Sequence, residues 1–447
     1  MPPVSFQRTP LPMRSIRSFL AAGLTLALAA LLSAAPARAQ MTVEVTGVGA
    51  QQYPIAVANF HVDTPLQQDL AAIVRADLNR SGMFQIVDAG PDAIEEAAPI
   101  QFADWKSRGA STLAVGSVQH LPDNRIQVRY RLYDTVKGYQ VDGMEFTMAG
   151  AGTQRDQRHI AHKIADRIYQ AVTGYPGVFS TRIAYVVQFS RNRYDLQVAD
   201  ADGADAQTVL HSPGFILSPT WSPDGQHLAY VALEHNHAVV YVQNLLTGRR
   251  RLVAGYPGTN SAPAFTRDGK RLAVTLTKDG NSEIYTMDLH GRHLKAMTRE
   301  PGINTEAIFS ADGAWMYFTS DRSGGPQTYR MPAGGGDAER MTFIGDYNVS
   351  PRISPDGKTL AYVSRRDGLF QVETLDLASN QELTITNTVN DESPSFAPNG
   401  RMLIYATSLE VGGRGLLALA SIDGTVHVLL SGPKGDYREP SWGPFTP

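Results

Sequence analysis

The sequence predicts an α/β N-terminal domain followed by an all-β six-bladed β-propeller, closed by pairing of the propeller's N- and C-terminal strands. Three observations carry this. The stretch "PTWSPDGQHLAYV" (residues 219–231) returns as "PAFTRDGKRLAVT", "AIFSADGAWMYFT", "PRISPDGKTLAYV" and "PSFAPNGRMLIYA". Its turn glycines, Gly225, Gly269, Gly313, Gly357 and Gly400, are spaced 44, 44, 44 and 43 residues apart. A fixed period of this length marks one supersecondary unit repeated in an array. Helical periodicity, in contrast, is confined to residues before about 175 and disappears from Thr181 onward. Finally, the inner strand of the unit opens at Pro219, Pro263, Ala307, Pro351, Pro394 and Pro440, and the next strand at Ile183, Leu228, Leu272, Met316, Leu360 and Leu403. Six of each means six blades. The first of the second set has no inner strand before it, and the last inner strand has nothing after it. The C-terminal strand must therefore complete the blade begun by residues 183–210, which removes two open sheet edges.

The chain divides into a signal peptide (1–39), the α/β domain (40–175) and the propeller (181–447). Arg14 and Arg17 precede an apolar run from Phe19 to about Leu32, and Ala37-Arg38-Ala39 offers a small-x-small cleavage site. The run is too short for a comfortable bilayer span. Export as a soluble protein starting at Gln40 is the expectation, with Met13 as an alternative start. There is no cysteine, which excludes disulfides, thiolate catalysis, cysteine-ligated metals and a lipid anchor at the cleavage site. A net charge of −3 with 19% charged residues lacks the basic stripe of a nucleic-acid binder.

In the α/β domain "TVEVTGV" and "PIAVANF" read as strands. "LQQDLAAIVRADLNRSG" reads as a helix, with Leu66, Leu70, Ile73, Val74 and Leu78 at helical spacing and Gly82 as the stop. "STLAVGSVQHL" and "RIQVRYRLYDTV" form a hairpin around Pro122-Asp123-Asn124. A second helix carries Ile160, Ile164 and Ile168 on one face and closes at Gly174.

Each blade is four antiparallel strands, A to D. The Asp-Gly and Asn-Gly pairs from Asp224-Gly225 to Asn399-Gly400 read as two-residue hairpin turns between A and B. Asp202-Gly203, Thr247-Gly248, His290-Gly291 and Asp423-Gly424 mark the C–D turns. Proline in strand A is compatible with an innermost strand whose free edge lines a channel. Trp221, Phe265, Phe309, Phe396 and Trp442 occupy one equivalent position and should fill the seams between blades; Ile353 is the exception and should leave its seam less filled.

The A–B and C–D turns are minimal, whereas the opposite face carries longer loops such as "SDRSGGPQ" and "SLEVGGRG" and the residues just before each strand A. Loops held by a rigid frame are where binding residues gather. Asn260-Ser261-Ala262, Asn304-Thr305-Glu306, Tyr347-Asn348 and Asp391-Glu392 should surround the channel mouth, with Glu306 an exposed charge contributing little to stability. No G-x-S-x-G stretch exists. His159 and His162 share a helix face but lack the glutamate of H-E-x-x-H and a third ligand. "SADGAW" resembles a sialidase Asp-box short of one residue and reads instead as an A–B turn.

The order of these features, with "YPIAVANF", "IVRADLNRSGMFQIVD", "RLYD" and above all "AHKIADRIYQAVTGYPGVFSTRIAYV" (161–186) ahead of six repeats, resembles the TolB family of the Tol-Pal system in Gram-negative envelopes. The resemblance implies a monomeric, non-enzymatic periplasmic adaptor, without cofactor, metal, nucleic acid or membrane insertion, that supports outer-membrane integrity and constriction during division. It implies docking of the lipoprotein Pal at the channel mouth, through Thr259, Asn260, Ala262, Thr305, Glu306, Asn348, Asp391 and Glu392, and of TolA at Met41, Thr42, Val43, Glu44 and Val45. Thr259 stands where the family's H-N-G-A-P motif has histidine, and Ala307 where T-E-P has proline. The competing expectation is an exported hydrolase or lyase using mouth carboxylates such as Glu306, Asp391, Glu392 and Glu439.

Overall fold

Two helices of the N-terminal body owe their ends to caps that sequence position alone dictates. Asp69 accepts the amide of Ala72 and starts the helix Leu70–Arg80, so Leu66 lies outside it. Leu70, Val74 and Leu78, four apart, are its buried stripe. Thr153 and Asp156 form a reciprocal capping box at the start of Gln154–Thr173, and Gly174 ends it in the left-handed conformation at φ 80°. Ile160, Ile164 and Ile168 pack with Leu78 and Val74 against one face of a mixed sheet. Burying each such side chain stabilises by about 1.5–3 kcal/mol.

The structure, a computed structural model, describes the backbone of residues 42–45 and, in full, residues 52–150, 152–430, 432 and 434–445. The run read as a signal peptide, together with Gln40 and Met41, lies outside the described residues. Among those described, no helix is long and apolar enough to cross a membrane.

The sheet pairs Phe84–Val87, Tyr53–Val57 and Thr112–His120 in parallel and then continues antiparallel through Arg125–Asp134 to Tyr139–Ala149. A short helix, Phe102–Ser107, covers its other face with Trp105. Neither that helix nor the outermost strand is marked by periodicity in the sequence.

The propeller has six four-stranded sheets. Blade 1 is Arg182–Ser190, Arg193–Asp200 and Gln207–Ser212, with the C-terminal strand Asp436–Trp442 as its innermost member. Blades 2 to 6 follow, with inner strands at Ile216–Trp221, Asn260–Phe265, Asn304–Phe309, Asn348–Ile353 and Glu392–Phe396. The ring is thus closed by its two ends. Every seam holds a hydrophobic cluster drawn from two neighbouring blades, with the tryptophans and phenylalanines among them. The cluster between blades 4 and 5, where Ile353 replaces the aromatic, has the fewest buried members: Tyr317, Leu360, Tyr362 and Leu375.

Two expectations are corrected. The A–B connection is a four-residue loop rather than a two-residue hairpin: Ser222 and His227 still pair, Gly225 alone is left-handed, and the Asp224 carboxylate accepts the Gln226 amide and the Ser222 hydroxyl. A type I turn with an Asx bond serves where a I′ turn would need positive φ at both residues. The strand Thr42–Val45 belongs to neither its own domain nor an absent sheet. It adds antiparallel to the outer strand of blade 6, Thr42 opposite Leu429 and Val45 opposite Val426.

Candidate partner-docking face

The N-terminal body sits on the turn face of the ring, over blades 1 and 6. Arg158 donates to Asp202 at 2.6 Å and Asp200 at 3.1 Å in the C–D turn of blade 1. Asn399, in the A–B turn of blade 6, donates to the carbonyl of Pro176, and the Arg401 guanidinium stacks 3.6 Å from the centre of the Tyr175 ring. Minimal turns are what allow this close approach. The long-loop face is left open.

His162 belongs to this junction and not to a histidine pair with His159. It is buried, bonded to Asp77 at 2.6 Å and 3.5 Å from Asp200. Against the cost of burial, Asp77 and Asp200 raise its pKa to about 10. His162, Asp200 and Asp202 bring ligand atoms within 4.8 Å of one another, but the guanidinium of Arg158 already bridges the two aspartates. A cation is in place.

At the centre of the open face each inner strand makes a bulge, and the bulged residue is left-handed: Ser218, Ala262, Glu306, Ser350, Ser393 and Glu439, with φ between 46° and 56°. A side chain in that region costs on the order of 1–2 kcal/mol, and strain repeated six times signals a backbone held for a purpose. The bulges line a channel of about 600 Å³. In blades 4 and 1, on opposite sides of it, a glutamate reaches to the next blade. Glu306 accepts the amide and hydroxyl of Ser350, both at 2.8 Å, and the hydroxyl of Thr319 at 2.9 Å; Glu439 accepts the amide of Ser218 at 2.9 Å. Arg352 stands between them in the channel. Burial, and then the charges of Glu392 and Glu306, raise Glu439 to about 7 in spite of the Ser218 bond and Arg352.

Comparison with known proteins decides the family. Residues 169–446 match the TolB beta propeller domain and residues 41–141 the TolB amino-terminal domain. The chain belongs to the TolB family. It is 59% identical over 432 residues to the Tol-Pal system protein TolB of Dechloromonas aromatica, covering 96% of this chain and 98% of that one. With the protein of that name from Bordetella pertussis it shares 51% over 426 residues, 95% and 96% of the two chains. The crystal structure of TolB from Acinetobacter baumannii superposes with a TM-score of 0.82 at 40% identity, covering 91% of this chain and all of that one.

Within this TolB framework the expected Pal-contact residues separate into three groups. Thr259 and Glu392 are exposed, and Ala262, Thr305 and Glu306 are half-buried at the channel. Asn260, Asn348 and Asp391 are a correction: all three are fully buried. Their side chains hold loops and cannot touch a partner directly. Asn260 donates to the carbonyl of Tyr256 at 2.7 Å and Asn348 to that of Ile344 at 2.8 Å. Polar residues before a strand in a loop-rich face look alike in sequence whether they point out or in. Glu306 is corrected too, being a seam cap and not a free charge. Sequence reasoning missed the apolar side chains of this face: Ile303, Phe343, Ile344 and Val411 are each more than half exposed. Their signal was there, as large hydrophobics inside otherwise polar loops.

Proposed function

We propose that the chain is the TolB component of a Tol-Pal system: a non-catalytic periplasmic adaptor that docks the lipoprotein Pal on its long-loop face and TolA through residues 41–45, supporting outer-membrane integrity and constriction at division. The observation that carries the reading is the asymmetry of the ring. One face is occupied by the chain's own N-terminal body. The other presents a channel mouth of strained, rigidly held loops with exposed Ile303, Phe343, Ile344 and Val411, the kind of apolar group that a partner covers. The carboxylates an enzyme would need are committed elsewhere, since Glu306 has both oxygens engaged and Asp391 is closed to solvent.

The strand Thr42–Val45 supports a coupling between the two partners. A four-residue ladder on the outer edge of blade 6 is short enough to exchange, and the same residues can add to another sheet only after leaving this one. TolA and the blade then compete, and any Pal-induced change at the blade is felt by TolA with the same free energy in both directions.

Two measurements test this. Glu392, exposed and without a hydrogen bond among the described residues, changed to Arg should weaken capture of purified Pal with the melting temperature unchanged; full capture by the variant would count against the mouth as the docking site. Deleting residues 40–46 should abolish TolA binding and alter Pal affinity. If both stay as in the intact protein, the coupling is wrong.

A further inference from the structure

Two residues ahead of the left-handed position, blades 3, 4 and 5 carry Asn260, Asn304 and Asn348, and blade 6 carries Asp391. All four are fully buried. Each asparagine donates from Nδ2 to the main-chain carbonyl four residues earlier: Tyr256 at 2.7 Å, Glu300 at 3.2 Å and Ile344 at 2.8 Å. An ionised aspartate has no proton to donate in this way. Asp391 Oδ1 accepts the hydroxyls of Thr388 at 2.5 Å and Thr407 at 2.6 Å. Oδ2 is sealed from solvent and has no hydrogen-bond partner among the described residues. The groups that face the carboxyl are the hydroxyls of Thr386, Thr388 and Thr407 and two titratable side chains, His427 on the outer strand of the blade and the buried Tyr405. A buried carboxylate with one oxygen unpaired is costly; the neutral acid is not, because it has a proton to offer.

We propose that Asp391 is held as a neutral carboxylic acid, filling the place that asparagine takes in blades 3 to 5, and that its ionisation loosens the loop 385–391 and makes docking at the channel mouth proton-dependent. The proposal rests on the docking reading above and adds its regulation. The loop leads straight into Glu392, the exposed residue of the mouth. Burial moves the Asp391 acid above the ordinary carboxyl range, against the pull of the three hydroxyls. Glu439, elsewhere on the mouth, is shifted in the same direction. The sign follows: a carboxyl whose folded pKa is raised contributes stability that is lost as pH rises through that folded value. Acid tightens the mouth and alkali loosens it.

The test uses the full mature chain and its Asp391→Asn variant. Amide exchange of residues 385–391, corrected for intrinsic rates, is followed from acid to mildly alkaline pH, and the affinity for purified Pal is measured at the same pH values. In the wild type, loop opening should increase by up to about tenfold per pH unit above the titration point, the limit for one linked proton, and affinity should fall with it. Asp391→Asn keeps a donor at every pH and should flatten both curves. Identical pH courses in the two proteins would overturn the proposal. Should the variant not fold, the carbon-13 shift of the Asp391 carboxyl in the wild type decides, and titration at the ordinary aspartate value refutes it. Absence of Pal binding at every pH would instead refute the docking reading, leaving loop exchange to judge the acid.

Discussion

His162 shows how much one side chain can carry between two bodies of structure. It lies on the helix that joins them, with Asp77 on one side and the blade 1 turn on the other. Asp202, which Arg80, His162 and Arg158 hold down to about 2 in spite of its burial, completes the cluster. His162 gains its proton on folding, so its stabilisation is complete below the unfolded value of 6.5 and fades as pH rises through about 10. Asp202 works the other way, complete above 3.8 and lost as pH falls through about 2. Replacing His162 with Gln should therefore cost about 3 kcal/mol near pH 6, the range for breaking a buried pair. The gap between the two proteins in urea unfolding should then narrow steadily from pH 6.5 toward 10. A gap independent of pH would mean that packing, and not charge, holds the junction. None of this was legible in "HIAH", because a histidine's partners come from distant parts of the chain.

At the scale of the element, the bulged inner strand is the unit that makes the docking face. Its proline, turn glycine and aromatic repeat in the sequence, and from them the blade order was legible in full. The left-handed residue was not, because it is Ser, Ala or Glu and has no composition of its own. What holds it is tertiary: in blade 5 the amide and hydroxyl of Ser350 go to Glu306 of blade 4. That bond crosses the seam with the smallest hydrophobic cluster, where Ile353 stands in the aromatic position. Polar contacts across a thin seam matter more than the same contacts on a surface. Changing Glu306 to Ala should accordingly cost about 2 kcal/mol, since hydrogen bonds to charged groups contribute roughly 1.5–3 kcal/mol each before relaxation. Calorimetric melting should record the drop. An unaltered melting temperature would restore Glu306 to the status of a surface charge.

For the whole molecule, the decisive contact is between residues more than two hundred positions apart. Strand counting located it, since six inner and six second strands leave one of each unpaired at the ends. The resting place of Thr42–Val45 was not legible the same way, as an alternating strand fits any free edge. The closure is locked three times: Asp436–Trp442 pairs with Arg182–Ser190, the Trp442 indole donates to Thr181, and the Trp221 indole of blade 2 donates to the carbonyl of Ser441. The Trp442 amide also bonds Ser395 in blade 6, so one strand ties three blades together. Removing residues 439–447 takes away the inner strand of blade 1, the Glu439 cap on Ser218 and the clasp of both adjoining seams. A ring cannot yield locally at such a point, because each blade buries its faces only against its neighbours. The truncated chain should therefore lose its single cooperative melt and expose the edge of Arg182–Ser190 to intermolecular pairing, read as aggregation in light scattering. A truncated protein that stays monomeric and melts in one sharp step near the wild-type temperature would show that the seams alone hold the ring, and that the docking face does not depend on its closure.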